Sequence, residues 1–214
     1  MLHGKVALWR GVCVSVVLSV LATSAWAAPL LPGTSALAAA EPDPIGGALV
    51  AGPLTSPLAG AAFTASVTSW VYSGDTTNPF PGGLTFVYMV TNSDVSTDSI
   101  GRFTVNGYMS GATVWQTDAS FQPGVGLAPA TMDRSANGNV VGYSFVGPPL
   151  GPSTLTPGAS SMLLVVQTNA PAFTQTIGNV IDGSIASGLV YAPVPEPTTL
   201  LLLVGGLALL RRRR

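Results

Sequence analysis

Between Ala61 and Tyr191, apolar and aromatic side chains recur at every second position, and no stretch repeats them at helical spacing over three turns. Phe63, Ala65, Val67 and Val71 alternate with Thr64, Ser66, Thr68 and Trp70. Leu84, Phe86, Tyr88 and Val90 alternate with Thr85, Val87, Met89 and Thr91. A period of two in β-branched and aromatic residues specifies half-buried strands. Ile100–Met109, Ala112–Asp118, Val140–Val146, Met162–Gln167 and Ile185–Tyr191 read as further strands, with Phe173–Ile181 as another candidate. Clusters of Gly, Pro, Asn, Asp and Ser separate these runs, and prolines such as Pro79, Pro81, Pro148, Pro149 and Pro152 fall between strands. Seven or eight strands with frequent turns predict an all-β domain over residues 60–192. The expected form is an antiparallel β-sandwich, Ig-like or jelly-roll, with a closed barrel as the alternative.

The two ends have a different composition. Residues 1–27 carry Lys5 and Arg10, then an apolar run from Gly11 to Ala22, then Ala25-Trp26-Ala27. That order is a secretory signal, a helix handed to the Sec export machinery, with Ala25 and Ala27 as the small residues of the cleavage site. The mature chain is expected to begin at Ala28. Residues 28–59 are rich in Ala, Pro, Gly and Leu, and Pro29, Pro32, Pro42, Pro44, Pro53 and Pro57 oppose a long helix. They predict a flexible linker, within which Gly47–Leu54 has the composition of an added strand.

Six of the eight basic residues lie in the two ends, leaving Arg102 and Arg134 against nine acids and a formal charge of about −7 for the exported part. Nucleic acid is not expected as a partner of so acidic a surface. His3 and Cys13 fall within the signal, so the exported part has no Lys, His or Cys. This excludes Ser-His-Asp, Cys-His and Schiff-base catalysis and leaves no ordinary zinc, haem or iron–sulfur ligation, so no cofactor or metal is expected.

Carboxylate chemistry remains. Asn92-Ser93-Asp94-Val95-Ser96-Thr97-Asp98 places oxygens at alternate positions, as in the first half of a calcium loop. Thr97 stands where such a loop needs Gly, and Phe103 where it needs Glu, so a polar hairpin connection is the better expectation. Asp75, Asp118, Asp133 and Asp182 are candidates for a glycosidase pair, although their spacing brings no two together, and Asp133-Arg134 reads as a local ion pair or solvated loop. Trp70, Tyr72, Trp115, Tyr143 and Tyr191 would form either a sugar-stacking platform or core.

Residues 193–214 hold the most specific pattern. Pro195, Glu196 and Pro197 precede an apolar run, Thr198–Leu210, and Arg211, Arg212, Arg213 and Arg214 follow it. As a helix the run is about 20 Å long, short of the ~30 Å hydrocarbon core, and its arginines favour the cytoplasmic side. The triplet, short transmembrane helix and basic cluster resemble the PEP-CTERM sorting signal. The resemblance covers about a tenth of the chain. It implies cleavage by an exosortase-type membrane protease, transient residence in the inner membrane, and delivery to the envelope surface or extracellular matrix of a Gram-negative bacterium that makes exopolysaccharide. The expected protein is non-enzymatic, structural or adhesive, and associated with biofilm polysaccharide. A carbohydrate-binding module is the alternative, and a carboxylate glycoside hydrolase is a more distant one.

Overall fold

The alternation of Thr64–Ser73 becomes a strand whose inward residues, Ala65, Val67, Ser69 and Val71, are buried while their neighbours are not. The computed structural model describes residues 29–40, 46–111, 113–147 and 154–194. The expected signal segment and cleavage residues Ala25 and Ala27 lie outside these residues, as do all the sorting residues from Pro195 onward.

The strands are, in order, β1 (Ser35–Leu37), β2 (Ala48–Ala59), β3 (Thr64–Ser73), β4 (Leu84–Asn92), β5 (Arg102–Val105), β6 (Met109–Ser110) and β7 (Thr113–Val114). There follow β8 (Thr117–Gln122), β9 (Thr131–Arg134), β10 (Val141–Ser144), β11 (Leu163–Thr168), β12 (Phe173–Asp182) and β13 (Ser184–Pro193). One sheet has six strands in the order β1-β9-β10-β5-β12-β13, and a second has five in the order β2-β3-β4-β11-β8. Every strand pairing in both is antiparallel. The chain changes sheet after β1, β4, β5, β8, β10 and β11, and β6–β7 form a small separate ribbon.

Both sheets contribute to one core. Val71, Phe86, Tyr88 and Leu164 come from the five-stranded sheet, and Phe103, Met132, Tyr143 and Val180 from the six-stranded one. Three fully buried tyrosines place hydroxyls in this core, and each hydroxyl is bonded. Tyr143 on β10 donates to Val165 O on β11 at 2.7 Å. Tyr88 on β4 donates to Tyr191 O on β13 at 2.7 Å, and its oxygen lies 2.8 Å from that of Tyr108. Sheet-to-sheet attachment is therefore directional as well as hydrophobic.

The expected linker over residues 28–59 is corrected. Its described parts belong to the fold. Leu30 N donates to Thr117 O beside the five-stranded sheet, Ser35–Leu37 pair with β9 of the other, and Phe121 N donates to Ala39 O. The segment thus stitches the two sheets along one side. Residues 48–59 form the longest strand, and Pro53 and Pro57 are admitted because β2 is an edge strand, where a missing N–H need not break a ladder. The ladder is interrupted between Leu49 and Leu54, where Gly52 has φ 106°. A Cβ on Gly52 would come within 2.7 Å of Ser69 O, so the bulge depends on that glycine. At the other end β13 continues through Pro193, one residue beyond the expected domain limit.

Strand β9 also lay outside the expected set, and Asp133-Arg134 form neither a local pair nor a loop. They are strand neighbours facing opposite ways. Arg134 occupies an inward position, like Met132, and is buried. A cation at a core-facing position breaks the apolar alternation by which strands are recognised. Its guanidinium donates through Nε to Gly138 O at 2.9 Å, through Nη1 to Leu30 O at 3.1 Å, and through Nη2 to Tyr108 O at 3.2 Å and Trp115 O at 2.7 Å. The N-terminal segment, the β9–β10 turn and the β6–β7 ribbon all end on this one group. Burial draws its pKa down from the ordinary arginine value, opposed by the nearby Tyr108, and a guanidinium so placed remains charged.

Replacing Arg134 by Met should lower folding stability by about 3 kcal/mol, because Leu30 O and Gly138 O lose their donor together and Trp115 O and Tyr108 O each lose one of two. Arg134→Lys should restore little of it, since one ammonium cannot reproduce the planar fork. Urea unfolding followed by circular dichroism measures both; a Lys variant as stable as the parent would contradict the assignment.

Candidate functional site

Two regions carry polar or aromatic side chains in an arrangement that chemistry could use. The first is the outer face of the five-stranded sheet. Cross-strand register sets Tyr72 beside Thr85, Thr85 beside Gln167, and Gln167 beside Asp118. The next row is Trp70, Val87, Val165 and Ser120. Alternating hydroxyl faces are expected to be solvated, yet Thr85, Gln167 and Asp118 are buried. The chain leaving β3 folds back over them. Asp75 Oδ2 accepts from Thr85 Oγ1 at 2.7 Å and from Gln167 Nε2 at 3.2 Å. Asp75 Oδ1 accepts from Thr77 N at 3.0 Å and Thr77 Oγ1 at 2.8 Å. Gln167 Nε2 also reaches Thr77 Oγ1 at 2.9 Å, and Asn78 Nδ2 reaches Thr168 O at 3.2 Å. This network uses Asp75 as an acceptor for four donors, which fixes a loop to a sheet.

Beyond that cover, Trp70 and Tyr72 remain half-buried on the same face of β3, two positions apart. Trp115 and Tyr143 are buried, and Tyr191 packs on the core and against Phe173. The five aromatics therefore do not form one platform. Only Trp70 and Tyr72 share an accessible face.

The second region is the end of the molecule that holds the β4–β5 connection and the β12–β13 turn. The expected hairpin at Asn92–Asp98 is corrected: β4 and β5 belong to different sheets, so the segment crosses between them. It is braced along its length. Asn92 Nδ2 donates to Asp98 O at 2.9 Å and Leu155 O at 2.8 Å, Ser96 Oγ donates to Thr64 O at 2.8 Å, and Thr97 Oγ1 donates to Ala62 O at 2.8 Å. These oxygens and amides serve the local fold. Among the described residues no three His, Cys, Asp or Glu side chains converge as a metal-ligand group.

The candidate carboxylates are dispersed. Asp75 lies in the network above. Asp133 makes a two-pronged ion pair with Arg102, Nη1 to Oδ2 at 2.6 Å and Nη2 to Oδ1 at 2.7 Å. The pair spans Gly142 of β10, where a Cβ would lie 2.9 Å from Asp133 Oδ2 and closer still to the Arg102 guanidinium. Asp182 is set against Asp98 within hydrogen-bonding reach. That is closer than the ~5–9.5 Å separation of carboxylates that flank a glycosidic bond. The composition of neither loop announced this juxtaposition; it arises from the inter-sheet crossing.

No protein-family model, curated protein or solved structure matches the chain.

Asp182 is held above its ordinary value of 3.8, first by burial and then by the charge of Asp98 and a hydrogen bond with it. The folded state therefore holds this proton more firmly than the unfolded chain. The pair favours folding below about 3.8, and the advantage is lost as pH rises through the folded value. Asp98→Asn should accordingly gain stability over the parent on going from pH 3 to pH 7. A constant difference in urea midpoint across that range would show the two carboxyls to be uncoupled.

Proposed function

We propose that this chain is an exported, exosortase-sorted protein of the cell envelope or extracellular matrix, with a structural or adhesive β-sandwich as its delivered part. The observation that carries the proposal is the ordered C-terminal pattern of Pro195-Glu196-Pro197, the apolar Thr198–Leu210 and Arg211–Arg214. In this view the arginines hold the helix in the inner membrane, the prolines keep the preceding segment extended, and a membrane protease reads and cuts there. The two sheets are assigned as the layers of a sandwich because their inward side chains meet in one core.

The partners in this proposal are the Sec machinery, the exosortase-type protease, the inner membrane in transit, and extracellular polysaccharide at the destination. A carbohydrate-contacting role is the second reading. It is favoured by the half-buried Trp70–Tyr72 pair, whose ring faces could stack on sugars.

Mass spectrometry of the mature protein should find a start at Ala28 and loss of Arg211–Arg214 in cells that hold the protease. A strain without it should retain Arg214. Replacing Pro195-Glu196-Pro197 with alanines should leave the precursor in the inner membrane. Arg214 present in both strains would reduce the segment to an ordinary anchor. A start at Glu41 would remove β1 and the Leu30 contact with Arg134, and such a chain should unfold at lower urea than one starting at Ala28.

A further inference from the structure

The β12–β13 hairpin forms one margin of the six-stranded sheet, and its outer face is unlike the rest of the surface. Register places Ile177 opposite Leu189 and Ile181 opposite Ile185. Ile177, Leu189 and Ile185 are 40%, 45% and 65% exposed. Phe173 and Tyr191 pack edge to face at 5.5 Å near the end of the same face. The remaining outward positions along the two strands are Gln175, Asn179, Ser187 and Pro193, so the face carries no charge. Adjacent branched aliphatics exposed on a sheet face are not an ordinary solvated surface.

The edge of β13 is already engaged. Ser56 Oγ of β2 donates to Leu189 O at 2.7 Å, and Tyr191 N donates to Ser69 Oγ of β3 at 3.2 Å. What the hairpin offers is a face, and the chain itself limits what that face can meet. Val194 N is bonded to Ala172 O, which fixes the end of β13 beside the start of β12. Four steps later, at Thr198, the apolar run begins, and four residues reach at most about 14 Å. Strands of ten residues extend about 34 Å, so the tether holds the near end of the hairpin within about 14 Å of any bilayer that takes up the run and its far end within about 48 Å.

We propose that the outer face of the β12–β13 hairpin is a bilayer-contact surface that lies along the membrane while the C-terminal run is inserted. This rests on the membrane-sorted reading above. Ile177, Ile185 and Leu189 enter the interfacial layer, while Phe173 and Tyr191, packed on the core and on each other, close the tether end of the hairpin. The two strands of the hairpin place no carboxylate on this face: Asp182 is in the last residue pair, turned the other way against Asp98. On the adjoining strand Arg102 lies beside Ile181 on the same side of the sheet, with its charge matched by the two-pronged pair with Asp133. An acidic domain would gain no attraction from anionic headgroups, so the contact should persist in salt.

The test uses the chain from Ala28 to Arg214, which lacks cysteine. Single cysteines at Gln175→Cys, Ile185→Cys and Ser35→Cys take an environment-sensitive nitrobenzoxadiazole label. The proteins are reconstituted with phosphatidylethanolamine–phosphatidylglycerol vesicles, and flotation reports insertion of the tail. The labels at positions 175 and 185 should shift to the blue and be quenched by brominated acyl chains, while the label at position 35, on the opposite margin of the sheet, should do neither. Floating protein whose labels at 175 and 185 remain in water overturns the proposal, as does a response at 175 alone, which would stand the domain upright on its tether. Shielded labels that brominated lipid does not quench also overturn it, and assign the face to a second copy or to the folded-back tail. Failure to float instead rejects the membrane step on which the proposal depends.

Discussion

The structure depends on a cation buried among backbone carbonyls. Arg134 is held by Leu30 O, Gly138 O, Tyr108 O and Trp115 O, oxygens from three separate parts of the chain. A guanidinium suits this work because its donors diverge in a plane and several acceptors can be served at once. Leu30 O and Gly138 O have Arg134 as their donor, whereas Tyr108 O also accepts from Trp115 N and Trp115 O from Thr117 Oγ1. Without the guanidinium, closing this side of the core would bury the first two unbonded, at ~1–3 kcal/mol each. Tyrosine hydroxyls act in the same way within the core, from one sheet to the backbone of the other.

This explains which parts of the fold could be read in the sequence. Strands such as β3, β4, β11 and β13 follow from alternation, because their inward positions are Val, Leu, Phe, Tyr and Ala. Strand β9 breaks that rule by placing Arg134 inward, so its four residues look like a polar turn. Strand β2 was legible in part, as Gly47–Leu54: two prolines and a glycine weaken the local preference over the rest, and its pairing with β3 supplies what propensity does not. The stretch from Leu30 to Ala40 has almost no pattern, since its backbone rather than its side chains makes most of the recorded bonds to both sheets.

The candidate sites divide in the same manner. The C-terminal pattern on which the proposed sorting rests is local in sequence and needs no fold to be read. The Asp75 network, the Asp98–Asp182 contact and the apolar hairpin face are assembled by topology. Asp75 and Gln167 lie 92 residues apart, and only the return of β11 beside β4 joins them. The Ile177–Leu189 face could be anticipated only as far as both strands were assigned, because its meaning lies in their register and in the covered edge beside it.

One consequence concerns resistance to proteolysis. Residues 28–210 contain no lysine and two arginines. Both occupy strands, Arg102 between β10 and β12 and Arg134 paired with β10, with their side chains engaged. A protease that recognises basic residues must bind an extended, unpaired backbone around its target, and these ladders deny it that until the sheet opens. The domain is thereby closed to trypsin-like digestion while folded, and its strands offer amine-directed cross-linkers no lysine.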